Sequence, residues 1–211
     1  MSSVATLYDI HGNLAALEAV LAEVPEDATI VVGGDVCAGG EQPSDVLARL
    51  RGLGNRVLWL RGNADRELYP GEEGIAPPEV IEESRARLTE DEIDFLYRLP
   101  ESQRLGDVLY CHASPRNDTD IFTERTPESR LAPLFEGLDV STVVCGHTHT
   151  QFERAVAGVR IVNSGSVGMP YEERPGAYWT LDLEPRRTEY AGAELKASRE
   201  EAVSHFTDIG L

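Results

Sequence analysis

Short apolar runs that alternate with helical patterns constrain the fold of this chain more than any other feature. The runs at Val4–Tyr8, Thr29–Val32 and Val57–Leu60 have the length of β-strands, and each begins a β-then-helix unit. A continuous apolar run is typical of a strand that is covered on both faces. Three such units in succession predict a parallel α/β core.

Later in the chain, the same patterns predict two hairpins, further strands and a C-terminal helix. Each hairpin has a glycine in its turn, Gly106 in the first and Gly158 in the second, as hairpin turns favour. No shift in composition and no repeat marks a boundary, so we expect a single domain over residues 1–211. The predicted elements are strands at 103–105, 108–111, 142–145, 152–156, 159–162, 177–183 and 188–190, and a helix at 194–206.

The acidic composition of the chain excludes several classes of partner. The sequence has 37 acidic and 19 basic residues, which gives a formal net charge of −18, and Lys196 is its only lysine. Such a surface repels the phosphates of nucleic acid and of anionic lipids. We therefore expect neither a nucleic-acid duplex nor a membrane as a partner. A small phosphate ester is still compatible with this charge if metal ions supply local positive charge.

The absence of targeting patterns and the cysteine content indicate a cytoplasmic protein. No apolar run approaches the ~18 residues of a membrane span, and the first residues lack the basic region of a signal peptide. The three cysteines have no disulfide-framework spacing, which fits a reducing compartment. The sequence leaves the oligomeric state open.

Polar residues with metal-ligand chemistry follow five of the predicted strands. His147 and His149 come after the run at 142–145, and His112 follows the run at 108–111. Alternating residues of a strand point to opposite faces, but the chain turns where a strand ends, and both rings of a His-x-His pair can then face one crevice. The candidate ligands are Asp9, His11, Asp35, Asn63, His112, His147 and His149.

This set contains more ligands than one ion accepts. A single divalent ion takes about four to six ligands, whereas two ions about 3.5–4 Å apart that share one carboxylate use all seven. Imidazole and carboxylate ligands suit zinc, manganese and iron. Because open α/β sheets build their sites at the carboxyl ends of strands, the position of these residues also favours a two-metal site.

Five short motifs give the chain a family resemblance. In order they are D-I-H-G-N at 9–13, G-G-D at 33–35, G-N-A-D at 62–65, C-H at 111–112 and V-V-C-G-H-T-H at 143–149. Together with the segment at 162–168, which is similar to an N-P-G-S loop, they resemble the calcineurin-like metallophosphoesterases, and most closely their small bacterial and archaeal phosphodiesterase branch. The resemblance extends from Asp9 to about Met169. It implies an α/β fold in which two mixed sheets form a four-layer α-β-β-α sandwich.

The resemblance also implies cofactors, a reaction and roles. The cofactors are two divalent metal ions, for which we expect manganese first and iron, zinc or nickel as alternatives. The reaction is hydrolysis of a phosphodiester or an activated phosphate ester by a metal-bridging hydroxide that attacks phosphorus in line. The implied metal ligands are Asp9, His11 and His149 for the first ion and Asn63, His112 and His147 for the second, with Asp35 between them. The implied catalytic residues are Asp35, Asn63, Asp65 and His112.

Two further positions bear on the substrate. Ala64 stands where the family usually has histidine or cysteine, and in the histidine-bearing branch that residue positions the phosphate and protonates the leaving group. General acid assistance is worth about 10²–10⁴-fold, so we expect activated aryl phosphodiesters to react faster than alkyl phosphomonoesters. Asn63 and Arg116 are expected to contact the substrate. Arg116 either holds a phosphate through its bidentate guanidinium or forms an exposed salt bridge.

Three functions are compatible with these patterns. The first is a phosphodiesterase that acts on a small phosphate ester. The second is a protein or nucleoside-polyphosphate phosphatase with the same chemistry, and the third is a non-catalytic scaffold of the same fold. Ala64 favours the scaffold, whereas the complete ligand set favours an enzyme.

The glycine-rich and proline-rich segment at 70–78 is either a lid over the site or a plain connection.

Overall fold

The computed structural model describes residues 2–210, and within this range the chain forms ten β-strands and seven α-helices. No helix of this range has the length and the apolar composition that a membrane crossing requires. The strands are β1 (Val4–Leu7), β2 (Thr29–Val32), β3 (Val57–Trp59), β4 (Ser102–Leu105), β5 (Val108–Cys111), β6 (Thr142–Cys145), β7 (Gln151–Val156), β8 (Val159–Ser164), β9 (Ala177–Leu181) and β10 (Glu184–Thr188). The helices are α1 (Leu14–Glu23), α2 (Pro43–Arg51), α3 (Asn63–Glu67), α4 (Pro78–Arg85), α5 (Glu90–Tyr97), α6 (Glu128–Phe135) and α7 (Arg199–Ile209).

The strands form two mixed sheets of five strands each, in the orders β10-β9-β1-β2-β3 and β4-β5-β6-β8-β7. In the first sheet, β1, β2 and β3 are parallel, whereas β9 and β10 run antiparallel to their neighbours. In the second sheet, β5, β6 and β8 are parallel, and the edge strands β4 and β7 are antiparallel. Parallel pairing brings the carboxyl ends of neighbouring strands to one edge of each sheet, and the predicted ligands follow those ends.

Side-chain alternation along the strands separates three apolar layers. Val32 packs with buried residues of α1, α2 and α5 on the outer face of the first sheet. Its neighbour Val31 points the other way and packs with Val144 of β6 between the two sheets. Val143 in turn packs with α6 on the outer face of the second sheet. The resulting order of helix, sheet, sheet and helix confirms the predicted four-layer sandwich.

Two predicted elements differ from the structure in their position. The last strand is β10 at Glu184–Thr188 rather than 188–190, because Asp182 and Leu183 have positive φ values of 52° and 68° and close a two-residue hairpin of the kind that matches strand twist. Helix α7 begins at Arg199 rather than at 194, because the Ser198 side chain accepts a hydrogen bond from the N–H of Glu201 and forms a capping box.

Candidate metal centre

The predicted ligands lie where β1, β2, β3, β5 and β6 end, in an unusual backbone conformation. Five of them, Asp9, His11, Asp35, His147 and His149, have positive φ values between 49° and 69°. Eight non-glycine residues of the described chain have positive φ, so most of this costly backbone is at the site. Each such residue costs on the order of 1–3 kcal/mol. The turn places both rings of the His-x-His pair on the wall of one crevice.

The first group of ligand atoms comes from Asp9, His11 and His149, and these atoms lie within 4.8 Å of one another. The Nε2 atoms of His11 and His149 are 3.1 Å apart, and Asp9 Oδ1 lies 3.5 Å from His149 Nε2. The other oxygen, Asp9 Oδ2, accepts a hydrogen bond of 2.8 Å from the backbone N–H of His147. One oxygen of Asp9 is thus held by the backbone, and the other faces the imidazoles.

The second group comes from Asp35, His112 and His147, with Asn63 beside them. His112 Nε2 lies 3.6 Å from Asp35 Oδ2, 3.2 Å from Asn63 Oδ1 and 3.2 Å from His147 Nδ1. Asp35, His112 and His147 follow three different strands and Asn63 begins α3, so the fold brings the four side chains together. Their assignment to a second ion stays a prediction.

Asp35 joins the two groups. Its Oδ1 accepts a hydrogen bond of 2.9 Å from the backbone N–H of Ala64. Its Oδ2 lies 4.0 Å from His11 Nε2 in the first group and 3.6 Å from His112 Nε2 in the second. A single carboxylate oxygen between two sets of imidazoles has the position of a bridging metal ligand.

The hydrogen bonds of the histidines test whether these residues fit metal ions. His11, His112 and His149 each direct Nδ1 at a backbone carbonyl oxygen, at 2.6, 2.9 and 2.7 Å. A carbonyl only accepts, so each Nδ1 carries the hydrogen and each Nε2 presents a lone pair. Two such lone pairs 3.1 Å apart, on His11 and His149, repel unless a cation lies between them. Asp9 Oδ1 and His147 Nε2 are also buried without a hydrogen-bond partner. The residues therefore fit a pair of divalent cations.

Burial and neighbouring charges favour the neutral form of His147 and the ionised form of Asp9, whereas they favour the protonated form of His112. Burial lowers the pKa of His147 to about 4, and the neighbouring His112 adds to this effect. For His112, burial lowers the pKa but Asp35 and Asp9 outweigh it, so the pKa rises overall. Burial acts to raise the pKa of Asp9, yet the charges of His149 and the other histidines hold that pKa below its ordinary value. Neutral imidazole and ionised carboxylate are the forms that bind metal.

Asp65 fixes the backbone around Asp35. Its Oδ2 accepts hydrogen bonds from the N–H groups of Asp35 at 2.8 Å and Gly62 at 3.0 Å, and its Oδ1 accepts from Val36 at 2.9 Å. Burial raises the pKa of Asp65 to about 7, the charge of Asp35 adds to the rise, and the N–H groups of Gly62 and Val36 oppose it. A Cβ on Gly62 would lie 2.2 Å from Asp35 Oδ1, so only glycine allows this close packing. Both oxygens of Asp65 are engaged by the backbone, and its predicted catalytic role stays a prediction.

A crevice of about 180 Å³ opens beside both groups of ligands. The ring of Tyr171 stacks on His149 with centroids 4.7 Å apart and 24° between the planes, and Phe206 of α7 lies 6.0 Å from Tyr171. Sequence analysis missed these apolar walls, because they come from segments far apart in the chain and form no local pattern. The lining residues are Asp35, Asn63, His147 and His149, with Ile75, Ala76, Ile121, Tyr171 and Phe206.

The structure does not bring Arg116 into this crevice. Its Nε donates to Asp120 Oδ2 at 3.0 Å, its Nη2 donates to Asp120 Oδ1, and its side chain is 56% exposed. This is the salt-bridge arrangement of the two alternatives, and contact of Arg116 with a substrate stays a prediction. Ala64 is buried beside Asp35 and offers only its backbone N–H.

Comparison with known proteins identifies a family for this arrangement. The chain matches the sequence profile of the calcineurin-like phosphoesterase superfamily domain over residues 3–186. It is 36% identical over 124 residues to the symmetrical bis(5'-nucleosyl)-tetraphosphatase of Pectobacterium carotovorum, in an alignment that covers 54% of this chain and 44% of that protein. The chain thus spans about half the length of the curated relatives that it matches first.

Solved structures share the fold over nearly the whole chain. The metallophosphoesterase from Sphaerobacter thermophilus superposes with a TM-score of 0.75 at 24% identity, covering 100% of this chain and 99% of that one. The hypothetical protein PH1004 from Pyrococcus horikoshii OT3 has a TM-score of 0.76 at 19% identity, covering 91% and 90% of the two chains. The chain belongs to the calcineurin-like phosphoesterase superfamily, and its described residues form a candidate dinuclear metal site.

Proposed function

We propose that this protein is a two-metal hydrolase of small phosphodiesters or activated phosphate esters. The observation that carries the proposal is the position of Asp35 Oδ2 between two groups of imidazole and carboxylate ligands. A non-catalytic scaffold has no need of two such groups or of the positive-φ backbone that maintains them. The complete ligand set therefore supports an enzyme rather than a scaffold.

The chain's own residues supply the geometry of the proposed reaction. When bound, two divalent ions neutralise phosphoryl oxygens and activate water for in-line attack. Asp9, His11 and His149 hold one ion in this proposal, and Asp35 lies between the two. Asn63, His112 and His147 are the ligands proposed for the other ion. Asp65 acts at a distance, because it holds the backbone that carries Asp35.

The crevice supports a substrate with one negative charge and an apolar ester group. Among the described residues that line it, none is arginine or lysine. A phosphodiester carries one negative charge, whereas a phosphomonoester carries close to two at neutral pH, and no basic side chain of the crevice would add to the charge of two metal ions. Tyr171 and Phe206 offer aromatic surface to a flat ester group. The loss of the usual acid at Ala64 also favours good leaving groups.

A nucleoside polyphosphatase is the second candidate, and its support comes from several curated relatives of that name. The bis(5'-nucleosyl)-tetraphosphatase of Pectobacterium carotovorum is 36% identical to this chain over 124 residues. The aromatic walls would suit a nucleobase, but several phosphates would need more positive charge than the crevice residues provide. Dephosphorylation of proteins has no specific observation in its favour.

The candidate ligands bear on the identity of the metal, and the cysteines bear on the cellular compartment. We propose manganese as the native metal, with iron, zinc or nickel able to occupy the same nitrogen and oxygen ligands. Cys37, Cys111 and Cys145 are all buried and free. Free thiols support the proposal that the protein works in the reducing cytoplasm.

A substrate panel tests this function. Protein stripped of metal and reconstituted with manganese should hydrolyse bis(p-nitrophenyl) phosphate faster than p-nitrophenyl phosphate, and both faster than an alkyl phosphomonoester. Chelation should abolish the activity, and manganese should restore it. Faster turnover of a bis(5'-nucleosyl) tetraphosphate than of the aryl diester would select the second candidate. Absence of all three activities in protein that has bound two ions would contradict the proposal.

A further inference from the structure

The amide of Asn63 can bind a metal ion only in one of its two orientations. Its oxygen is a metal ligand and its nitrogen is not, and a rotation of 180° about the last side-chain bond exchanges them. Asn63 Oδ1 lies 3.2 Å from His112 Nε2, on the side of the ligand groups. Some other residue must hold the Nδ2 group on the opposite side for this orientation to persist.

Glu67 fixes the Nδ2 group of Asn63. It lies one turn later on α3, so that its side chain and that of Asn63 share a helix face. Its Oε1 accepts a hydrogen bond of 3.0 Å from Asn63 Nδ2. A carboxylate accepts and cannot donate, so this contact excludes the reversed amide. The Glu67 side chain is only 3% exposed, which keeps water from replacing it.

The same carboxylate holds one wall of the crevice. Oε1 of Glu67 also accepts from the backbone N–H of Ile75 at 3.1 Å, and Oε2 accepts from that of Ala76 at 3.0 Å. Both residues line the crevice beside the metal ligands. Gly74 makes this contact feasible, because a Cβ there would lie 1.9 Å from Glu67 Oε1. The segment at 70–78 is thus tied to the ligand Asn63 through one buried side chain.

We infer that Glu67 is a positioning residue that orients the Asn63 amide toward the second metal ion and fixes the Ile75–Ala76 wall of the crevice. The inference rests on the proposed two-metal site. Glu67 is not among the residues that line the crevice beside the ligand groups. Its carboxylate accepts a hydrogen bond from the Asn63 amide on one side and from the N–H groups of Ile75 and Ala76 on the other.

Metal titration of Glu67→Ala tests the inference without reference to turnover. Residues that orient metal ligands typically contribute 10–100-fold to affinity. Calorimetric titration of metal-free protein with Mn²⁺ should therefore show about 10–100-fold weaker binding of one ion, with the other ion bound as in the wild type. Glu73→Ala is the matched control, because it removes a negative charge from the same loop and its side chain is exposed. This control should bind both ions normally.

Glu67→Gln separates the two roles. The amide oxygen of glutamine can keep the contacts with Asn63 and Ile75, whereas its NH₂ group faces the N–H of Ala76 and cannot accept from it. This variant should bind both ions within a few-fold of the wild type and show a raised KM for the aryl diester at nearly unchanged kcat. A uniform loss of affinity for both ions in Glu67→Ala, or wild-type binding of both, would overturn the inference.

Gly74→Ala provides an independent perturbation if Glu67→Ala does not fold. The new methyl group displaces the Glu67 carboxylate from the loop side, and weaker binding of a single ion is again expected. Unchanged binding of both ions in this variant would also overturn the inference. If the wild type binds two ions and hydrolyses no ester, the proposed function fails, and the titration still decides the role of Glu67.

Discussion

The largely buried ion pair between Arg199 and Glu172 links the segments that carry two walls of the crevice, and it allows a quantitative prediction about stability. Arg199 Nη1 donates to both oxygens of Glu172 at 2.9 and 2.8 Å, and Nη2 donates to Gln151 O at 2.7 Å. The Glu172 side chain is 7% exposed and that of Arg199 is 24% exposed. Arg199 starts α7, which carries Phe206, and Glu172 follows Tyr171. The pair therefore joins both aromatic walls of the crevice.

Arg199→Ala leaves the Glu172 carboxylate buried with only the N–H of Gln151 as a partner. Removal of one partner from a buried pair costs about 3–5 kcal/mol, and the partial exposure of Arg199 places the loss at about 3 kcal/mol. That is a large share of a stability of about 5–15 kcal/mol. Urea denaturation of metal-free protein at pH 7.5 should show this loss. Arg125→Ala removes an exposed pair with Glu200 on the same helix and should leave the stability unchanged within error.

The loss of stability in Arg199→Ala should depend on pH in a defined direction. Burial raises the pKa of Glu172 above its ordinary value, whereas Gln151 and Arg199 oppose the rise and Glu124 adds to it. A carboxyl with a raised folded-state pKa favours the fold when protonated, and that contribution is lost as pH rises through the folded pKa. Without Arg199 the pKa of Glu172 rises further. The difference in stability between the wild type and Arg199→Ala should therefore be largest at pH 7.5 and shrink as the pH falls toward 4.5. A deficit under about 1 kcal/mol at pH 7.5, or one that grows on acidification, would refute this reasoning.

Three further variants test individual residues of the site. Ala64→His restores a proton donor, so hydrolysis of an alkyl ester should increase by up to about 10²–10⁴-fold while the aryl diester gains little; no gain on any substrate would contradict the role given to this position. Phe206→Ala should raise KM for an aryl diester about fivefold to thirtyfold through loss of about 1–2 kcal/mol of apolar contact, with kcat nearly unchanged. Asp65→Asn can keep at most two of its three backbone acceptor contacts, so urea denaturation should show a loss of about 1–3 kcal/mol.

The position of the candidate ligands could be predicted from the sequence because it depends on local rules. Asp9, Asp35 and His112 each follow an apolar run, and parallel strands bring their carboxyl ends together whatever the details of packing. The His147-x-His149 pair needed one further assumption, that the chain turns at the strand end. The positive φ values of both residues bear out that assumption.

The residues that support these ligands could not be predicted in the same way. Glu67 lies on a helix among many acidic residues, and its role depends on the return of the 74–76 segment toward α3. Phe206 reaches the crevice from α7, whose first residue, Arg199, pairs with Glu172. Such contacts join residues far apart in sequence and leave no periodic pattern. The predicted start of helix α7 at 194 is wrong, although the S-x-x-E capping signal at Ser198 is present in the sequence.

The most direct test of the central claim is to locate the metal ions. A crystal of the full chain grown with manganese, with anomalous diffraction recorded at the manganese edge, would give the position of each ion. We predict two ions per chain about 3.5–4 Å apart, one on each side of Asp35 Oδ2, with Asn63 Oδ1 directed at the second. A single ion, or ions bound away from Asp35 at saturating manganese, would contradict the two-metal account.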